Sequence, residues 1–425
     1  MSPAVRNIGR IALSTSITLV AFAGAAVAGL AQPGPPPTSP GEAAPGGERF
    51  TGSTAEGKIV VAVVLGKSGS EAADVLAPFD VLATSPRFAV YTIADSQAAA
   101  PLDGGLWLTP DFTFADAASG AAPRPDLIVV PAVNLPAETA EEGARSFIAG
   151  QYADGVHVLG ICAGSRLLAA AGILDGLTAT SHWSRISELE ESNPAVSWVR
   201  GERYVQDGRV TTTGGVTSSI PGTLKVMADL AGAAEAARVG KLIDYPGWTP
   251  DSPARMPKKT FGLDDVPVLI NAAFPWARPT YDIRLADGVD EIDAAALFEM
   301  YSYSLAGTTR AVSASGSVRT RHGLNLRTEV LGESTGGETL QAGGFTSRSG
   351  RGGFDAAFEQ LGRTAGSSVV ESVSKMLEYP IDRVNRDQPF AWQQWRSTAL
   401  LAAAALLAIA AGCLPLVARR ILRRR

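Results

Sequence analysis

Short apolar, β-branched runs alternate with amphipathic stretches from Lys58 to about Trp248. Ile59 to Leu65 (IVVAVVL), Leu127 to Val130 (LIVV) and Val156 to Cys162 (VHVLGIC) carry no alternation. That pattern predicts strands buried on both faces of a parallel sheet. A helix is expected over Glu138 to Gln151, between the second and third of these runs. Strand alternating with helix predicts an α/β sandwich with a mainly parallel sheet. Pro33 to Gly57 is rich in Pro and Gly and reads as an extended tether. Thr249 to Asp265 reads as a second, polar linker.

The two ends differ from the middle. Ile11 to Gln32 and Ser397 to Ala418 are each 22 residues without a charge. As a helix, 22 residues span about 33 Å, against about 30 Å for a hydrocarbon core. Arg6 and Arg10 precede the first run, and Arg419, Arg420, Arg423, Arg424 and Arg425 follow the second. Basic flanks favour the cytoplasmic side, which leaves the middle of the chain extracytoplasmic and the C-terminal tail inside. Trp392 and Trp395 stand where aromatic residues favour the membrane interface. The first run reads either as an uncleaved anchor or as a signal peptide, with Ala25, Ala26 and Ala28 offering cleavage sites.

An internal repeat divides what lies between. GAAEAARVGKLIDYP (Gly232 to Pro246) aligns with GSSVVESVSKMLEYP (Gly366 to Pro380) without a gap. GSEAADVLAPFDV (Gly69 to Val81) aligns with GVDEIDAAALFEM (Gly288 to Met300), pairing Asp74 with Asp293 and Asp80 with Glu299. Gly105-Leu106 pairs with Gly323-Leu324, and the second unit is shorter by 84 positions in its middle. The expected organisation is an anchor or signal peptide (1–32), a linker (33–57), a first domain (58–248) and a linker (249–265). A degenerate, truncated second copy (266–380), a juxtamembrane stretch (381–396), a transmembrane helix (397–418) and a basic tail (419–425) complete it.

Composition narrows the chemistry. The 425 residues carry a net charge of −5, which disfavours nucleic acid as a partner. Two cysteines, Cys162 and Cys413, make no disulfide framework. His157, His182 and His322 are too few and scattered to announce a metal site, so neither a metal nor another cofactor is expected. The segment Gly66 to Glu71 lacks phosphate-loop spacing.

Gly160 to Trp183 (GICAGSRLLAAAGILDGLTATSHW) is the informative segment. An apolar strand runs into Cys162, small residues follow, and an apolar helix begins, which is the grammar of a nucleophile elbow. A helix N-terminus lowers a thiol's pKa and presents N–H groups to an oxyanion. A low-pKa thiolate at Cys162 is therefore expected. Asp74 lies at the start of the first helical stretch, as either a cap or a partner of the thiol.

Asp74, Pro78 and Asp80, the CAG elbow, LAAAGILDGLTATSHW and RVTTTGGVTS together resemble the DJ-one/PfpI (ThiJ) family of the class I glutamine amidotransferase-like superfamily. The amidase-like domains of AraC-type regulators and isonitrile hydratases are the nearest subset. The resemblance implies a flavodoxin-like three-layer sandwich over residues 58–248. It implies Cys162 as nucleophile, Asp74 as acid or base against the sulfur, His182 as a site-proximal histidine, and the Ala163 amide as oxyanion donor. The second donor loop, usually with paired glycines, here includes Ala132 and Val133, a departure from the family pattern.

Three functions follow as expectations. The first is a membrane-anchored module that senses a small molecule or an oxidant. The second is a cysteine-dependent hydratase or amidase acting on small electrophiles. The third is a scaffold in which the second unit docks on the first as a pseudo-dimer partner. The expected partners are an unidentified small ligand or substrate, membrane lipid, and another copy of the chain or this intramolecular partner.

Overall fold

The computed structural model describes residues 55–134, 141–243, 251–332, 338–342 and 353–380, with isolated positions 50, 245, 248, 249, 399, 402, 403 and 406. The run Ile11 to Gln32, the tether and nearly all of Ser397 to Ala418 lie outside the described residues. Among the described residues no helix is long and apolar enough to cross a membrane.

The first unit is built on strands β1 (Ile59–Val64), β2 (Phe88–Ala94), β3 (Ala100–Leu102), β4 (Leu106–Thr109), β5 (Phe112–Thr113), β6 (Leu127–Val130), β7 (His157–Gly160), β8 (Thr178–Ala179), β9 (Ser197–Trp198), β10 (Tyr204–Asp207) and β11 (Val210–Thr213). Its helices are α1 (Ala72–Ala83), α2 (Phe114–Ser119), α3 (Glu142–Ala153), α4 (Gly164–Ala170), α5 (Ile186–Ser192), α6 (Ser219–Ala231) and α7 (Ala233–Leu242). Seven strands form one sheet in the order β10-β11-β7-β6-β1-β2-β5, parallel except for the β10–β11 pair. The apolar runs read from the sequence are its central strands.

In β1, Val61 and Val63 enter one core while Val60, Ala62 and Val64 enter the other. Successive side chains point to opposite faces, so a strand covered on both faces must be apolar throughout. Complete burial of one such valine contributes about 1.5–3 kcal/mol. The helix expected over 138–151 begins at Glu142 and runs to Ala153. Residues 135–140 are outside the described set.

The second unit contains helices α8 (Val266–Ala273), α9 (Glu291–Ser304), α10 (Gly353–Ala365) and α11 (Ser367–Met376). Its strands are β12 (Thr280–Arg284), β13 (Thr308–Ser313), β14 (Ser317–Arg319), β15 (Asn325–Arg327), β16 (Glu329–Val330) and β17 (Glu338–Gln341). Its parallel sheet runs β16-β13-β12-β17. That is the arrangement of β5-β2-β1-β6, and no strand corresponds to β7, β10 or β11 among the described residues. The segment read as a polar linker is pinned to the first unit: Arg203 N–H donates to Ala254 O (2.7 Å) and Met256 N–H to Gly201 O (2.9 Å).

The units meet along a reciprocal seam. β4 pairs antiparallel with β15, setting Leu108 opposite Leu326, Trp107 opposite Arg327 and Thr109 opposite Asn325. Helices α1 and α9 also lie against one another. Asp80 Oδ2 accepts from Ile292 N–H (3.1 Å), and Glu299 Oε2 accepts from Ala73 N–H (3.0 Å). Each helix thus supplies a carboxylate to the N-terminal turn of the other, where free N–H groups and the helix dipole favour it. One apolar core runs through the seam, from Val61 and Leu76 to Ile283 and Phe298.

Candidate functional site

β7 leads into Cys162, whose φ of +53° is rare for a residue with a Cβ. Its backbone is held from both sides: N–H to Thr213 Oγ1 (3.2 Å), and O from Ser165 Oγ (3.3 Å) and Ser181 Oγ (3.2 Å). A non-glycine residue in this region costs about 1–3 kcal/mol and persists where its surroundings hold it. The glycines permit the elbow sterically. A Cβ on Gly164 would overlap Val130 O and approach Pro131 O at 2.8 Å, and one on Gly160 would lie 2.5 Å from Leu168 Cδ1.

Two carboxylates from the start of α1 reach the sulfur. Donor atoms of Glu71, Asp74 and Cys162 all lie within 4.8 Å of one another. Asp74 Oδ2 accepts from Ala132 N–H (3.0 Å), and Glu71 Oε1 accepts from Tyr303 Oη–H (2.9 Å), a side chain of the second unit. Glu71 Oε2 and Asp74 Oδ1 are buried and take no backbone N–H. The carboxyl groups and the thiol lie within 4.8 Å of one another, close enough to exchange a proton.

Burial, then the negative charge of Asp103, pushes Glu71 up to about 7. Burial, then Glu71 and Glu299, pushes Asp74 up. Cys162 is also pushed well up, by burial and then by Glu71 and Asp74, against a smaller opposing effect of the Ala163 N–H. Charged forms are expensive where water is excluded and like charges face one another, so the cluster retains protons.

The second unit closes this site. His182 Nε2 donates to Met376 O (2.8 Å), because a carbonyl can only accept. Nδ1 is therefore the acceptor, 2.7 Å from Ser184 Oγ. Burial lowers this imidazole to about 4, so it is neutral with both nitrogens engaged. Thr217 donates through N–H and Oγ1 to Leu377 O (3.1 and 2.7 Å). Glu378, at φ +58°, accepts from Gly215 N–H (2.5 Å) and Ser218 Oγ (2.6 Å). A Cβ on Gly214 would lie 2.6 Å from Glu378 Oε2, and one on Gly215 3.0 Å from its Cδ. The paired glycines make room for this side chain.

The model of the DJ-1/PfpI family matches residues 60–229. Isonitrile hydratase of Pseudomonas putida is 32% identical over 174 residues, which cover 40% of this chain and 72% of that enzyme. The chain belongs to the DJ-1/PfpI family. The transcriptional regulator CdhR of Pseudomonas aeruginosa is 41% identical over 88 residues, 21% of this chain and only 26% of the regulator. Among solved structures, a ThiJ/PfpI family protein from Pseudomonas syringae aligns with a TM-score of 0.41 and 25% identity, over 49% of this chain and 85% of that one.

Asp74 stands beside the sulfur, as the DJ-1/PfpI resemblance implies, and not at the cap of α1, whose N-cap residue is Glu71. Other expected roles change against this geometry. The Ala163 amide faces the sulfur. Ala132 is not an oxyanion donor, because its N–H is committed to Asp74. Val133 lies opposite Ser70 in a single β-bridge, with its side chain against Gly66. His182 is not a base for Cys162, since both nitrogens are used in holding the seam. The expected low-pKa thiolate is replaced by a thiol, because burial and two carboxylates outweigh the short helix behind it.

Glu71, Tyr303, Glu299 and Glu378 did not emerge from the sequence as site residues. Glu71 had a usable signal, three positions before Asp74 and hence on one helical face with it. Tyr303 and Glu378 had none, because only the seam brings them here.

Proposed function

We propose that this chain is a cysteine-dependent enzyme of the hydratase or hydrolase type, acting on a small uncharged electrophile. The observation that carries the reading is the convergence of two carboxyl groups on a thiol at a strained elbow. The sulfur attacks the electrophilic carbon as its proton passes to the carboxylate of Glu71 or Asp74. The neighbouring carboxyl returns a proton to the atom that gains the electron pair, and the Ala163 N–H meets the developing charge. Water then displaces the sulfur and restores the thiol. Similarity to isonitrile hydratase makes isonitriles the first substrates to try.

In the same reading the second unit is a degenerate copy serving as a built-in partner. Its matching strand order and the reciprocal Asp80–Ile292 and Glu299–Ala73 bonds support this. The hydrophobic runs at the two ends anchor the enzyme with its globular part outside the membrane. Burial and a raised pKa at Cys162 disfavour peroxide sensing, which needs an accessible thiolate. A ligand-binding module without turnover is the second reading, favoured by the similarity to CdhR and by the Ala132 N–H being spent on Asp74.

A panel of alkyl and aryl isonitriles, with formamide production as the readout, tests the proposal. The native chain should hydrate at least one of them, and Cys162→Ser should lower the rate by at least about 1,000-fold with an unchanged circular dichroism spectrum. Saturable binding of an isonitrile with no turnover by the native chain would favour the ligand-binding module instead.

A further inference from the structure

A second cluster of chemically capable side chains lies at the seam, away from Cys162. Asp80 comes from α1, Glu291 from the first turn of α9, and His322 from the turn between β14 and β15. His322 Nδ1 is 2.9 Å from Glu291 Oε2 and 3.6 Å from Asp80 Oδ1. One donor atom from each of the three lies within 4.8 Å of the other two. We propose that Asp80, Glu291 and His322 form a binding site for a divalent transition-metal ion, with zinc the first candidate, joining the two units.

Geometry and surroundings both support the site. Ligand atoms at about 2.0–2.2 Å from a tetrahedral ion lie about 3.3–3.6 Å from one another. Of the two observed separations, 3.6 Å is at the upper end of that range and 2.9 Å is shorter, as for a direct hydrogen bond. Each carboxylate has one oxygen fixed by groups outside the cluster or by main chain. Asp80 Oδ2 takes Ile292 N–H (3.1 Å), while Glu291 Oε1 takes Thr320 Oγ–H (2.5 Å) and His322 N–H (3.0 Å). The other oxygens, Asp80 Oδ1 and Glu291 Oε2, turn toward the imidazole. Asp80 Oδ1 has one further contact, a long bond from Thr84 Oγ (3.3 Å). Such outer bonds orient ligands before an ion arrives.

Charge points the same way. Asp80 is 4% exposed and Glu291 is fully buried, so two carboxylates face each other with little water. Asp290, nearby, is matched by Arg321 (2.7 Å). Arg321 is paired directly with Asp290 and reaches Asp80 and Glu291 only at longer range, so a divalent ion among the two carboxylates and the imidazole would supply the positive charge at their centre. His322 is the partly exposed member and forms the way in. Two oxygens and one imidazole nitrogen suit zinc or manganese better than a soft ion, and three protein ligands leave a position for water.

The site also stands in the seam's reciprocal scheme. Asp80 is the counterpart of Glu299, which lies beside Glu71 at the Cys162 centre. The second unit has no cysteine loop, and here Glu291 and His322 occupy the corresponding end of the seam. On binding, the ion replaces the proton on His322, and that proton leaves to solvent.

The test uses the full chain carrying Cys162→Ala, which removes the other set of donors, after chelator treatment. Zinc titration by calorimetry, in two buffers of different ionisation enthalpy, should give one ion per chain. The expected Kd is ~10 µM or lower, with proton release. His322→Ala and Glu291→Gln should each weaken binding at least about tenfold. Cobalt added to the Cys162→Ala chain should give visible bands of a nitrogen- and oxygen-ligated ion, a readout that does not depend on the cluster variants folding. No binding at 100-fold above that Kd, or binding unchanged by His322→Ala, would overturn the proposal and leave an ion-paired triad.

Discussion

Glu71→Gln should lower kcat/KM of the proposed hydration by about 100- to 10,000-fold, the usual worth of a positioned general base. Gln keeps the size of the side chain and can still accept the Tyr303 hydroxyl (2.9 Å in the native chain). It cannot take the thiol proton. Asp74→Asn retains an acceptor for the Ala132 N–H (3.0 Å) and should give a smaller loss, because Glu71 remains. Removing both should leave no more activity than Cys162→Ser. The native dependence on pH follows from the same residue. Glu71 is pushed up to about 7, so it is protonated below that value and competent as a base above it. The rate should rise with pH through about 7, and Glu71→Gln should remove that limb. An unchanged limb in Glu71→Gln would assign the base elsewhere.

Gly104→Val destabilises the chain by about 3 kcal/mol and loosens the Cys162 site from a distance. Gly104 has φ +76°, and a Cβ there would lie 2.9 Å from Phe298 Cβ and 3.1 Å from Phe298 O. A β-branched residue at positive φ costs about 1–2 kcal/mol, and forcing volume against a packed helix adds about 1–3 kcal/mol. Phe298 is on α9, five residues before Tyr303, so the displaced helix carries Tyr303 away from Glu71. Thermal unfolding should shift down by about 5–10 °C. Alkylation of Cys162 in the folded state should become faster as the closing unit withdraws. A loss of stability with no change at the thiol would separate the seam from the site.

Much of the first unit was legible because its central strands are buried on both faces. β1, β6 and β7 fall within the three apolar runs, and Cys162 sits at the strand-to-helix turn read from its small neighbours. The DJ-1/PfpI resemblance rested on those same residues. The gapless alignment of the two unit ends has a counterpart in the helices: α10 and α11 are bounded 134 positions after α6 and α7. How the two units meet was not legible, because a β4–β15 pair or a carboxylate across a seam leaves no periodicity. The protonation of Cys162 was misread for a related reason. Local grammar showed a helix behind the sulfur, whereas Glu71, Asp74 and the burial imposed by the second unit are tertiary facts. His182 stands near the site, with its ring 6.4 Å from that of Tyr303, but its tie to the second unit has no sequence signal because its partner, Met376 O, is 194 residues away.

The central claim is that Cys162 rests as a thiol between two carboxyl groups and gives up its proton to them. The rate of Cys162 modification by a small neutral alkylating agent, followed across pH in the native chain and in Asp74→Asn, tests it most directly. The account predicts an apparent pKa above the ordinary thiol value of about 8.5, moving down in Asp74→Asn, where no carboxylate can form at position 74 beside the sulfur. An apparent pKa well below that value, or one unmoved by Asp74→Asn, would contradict it.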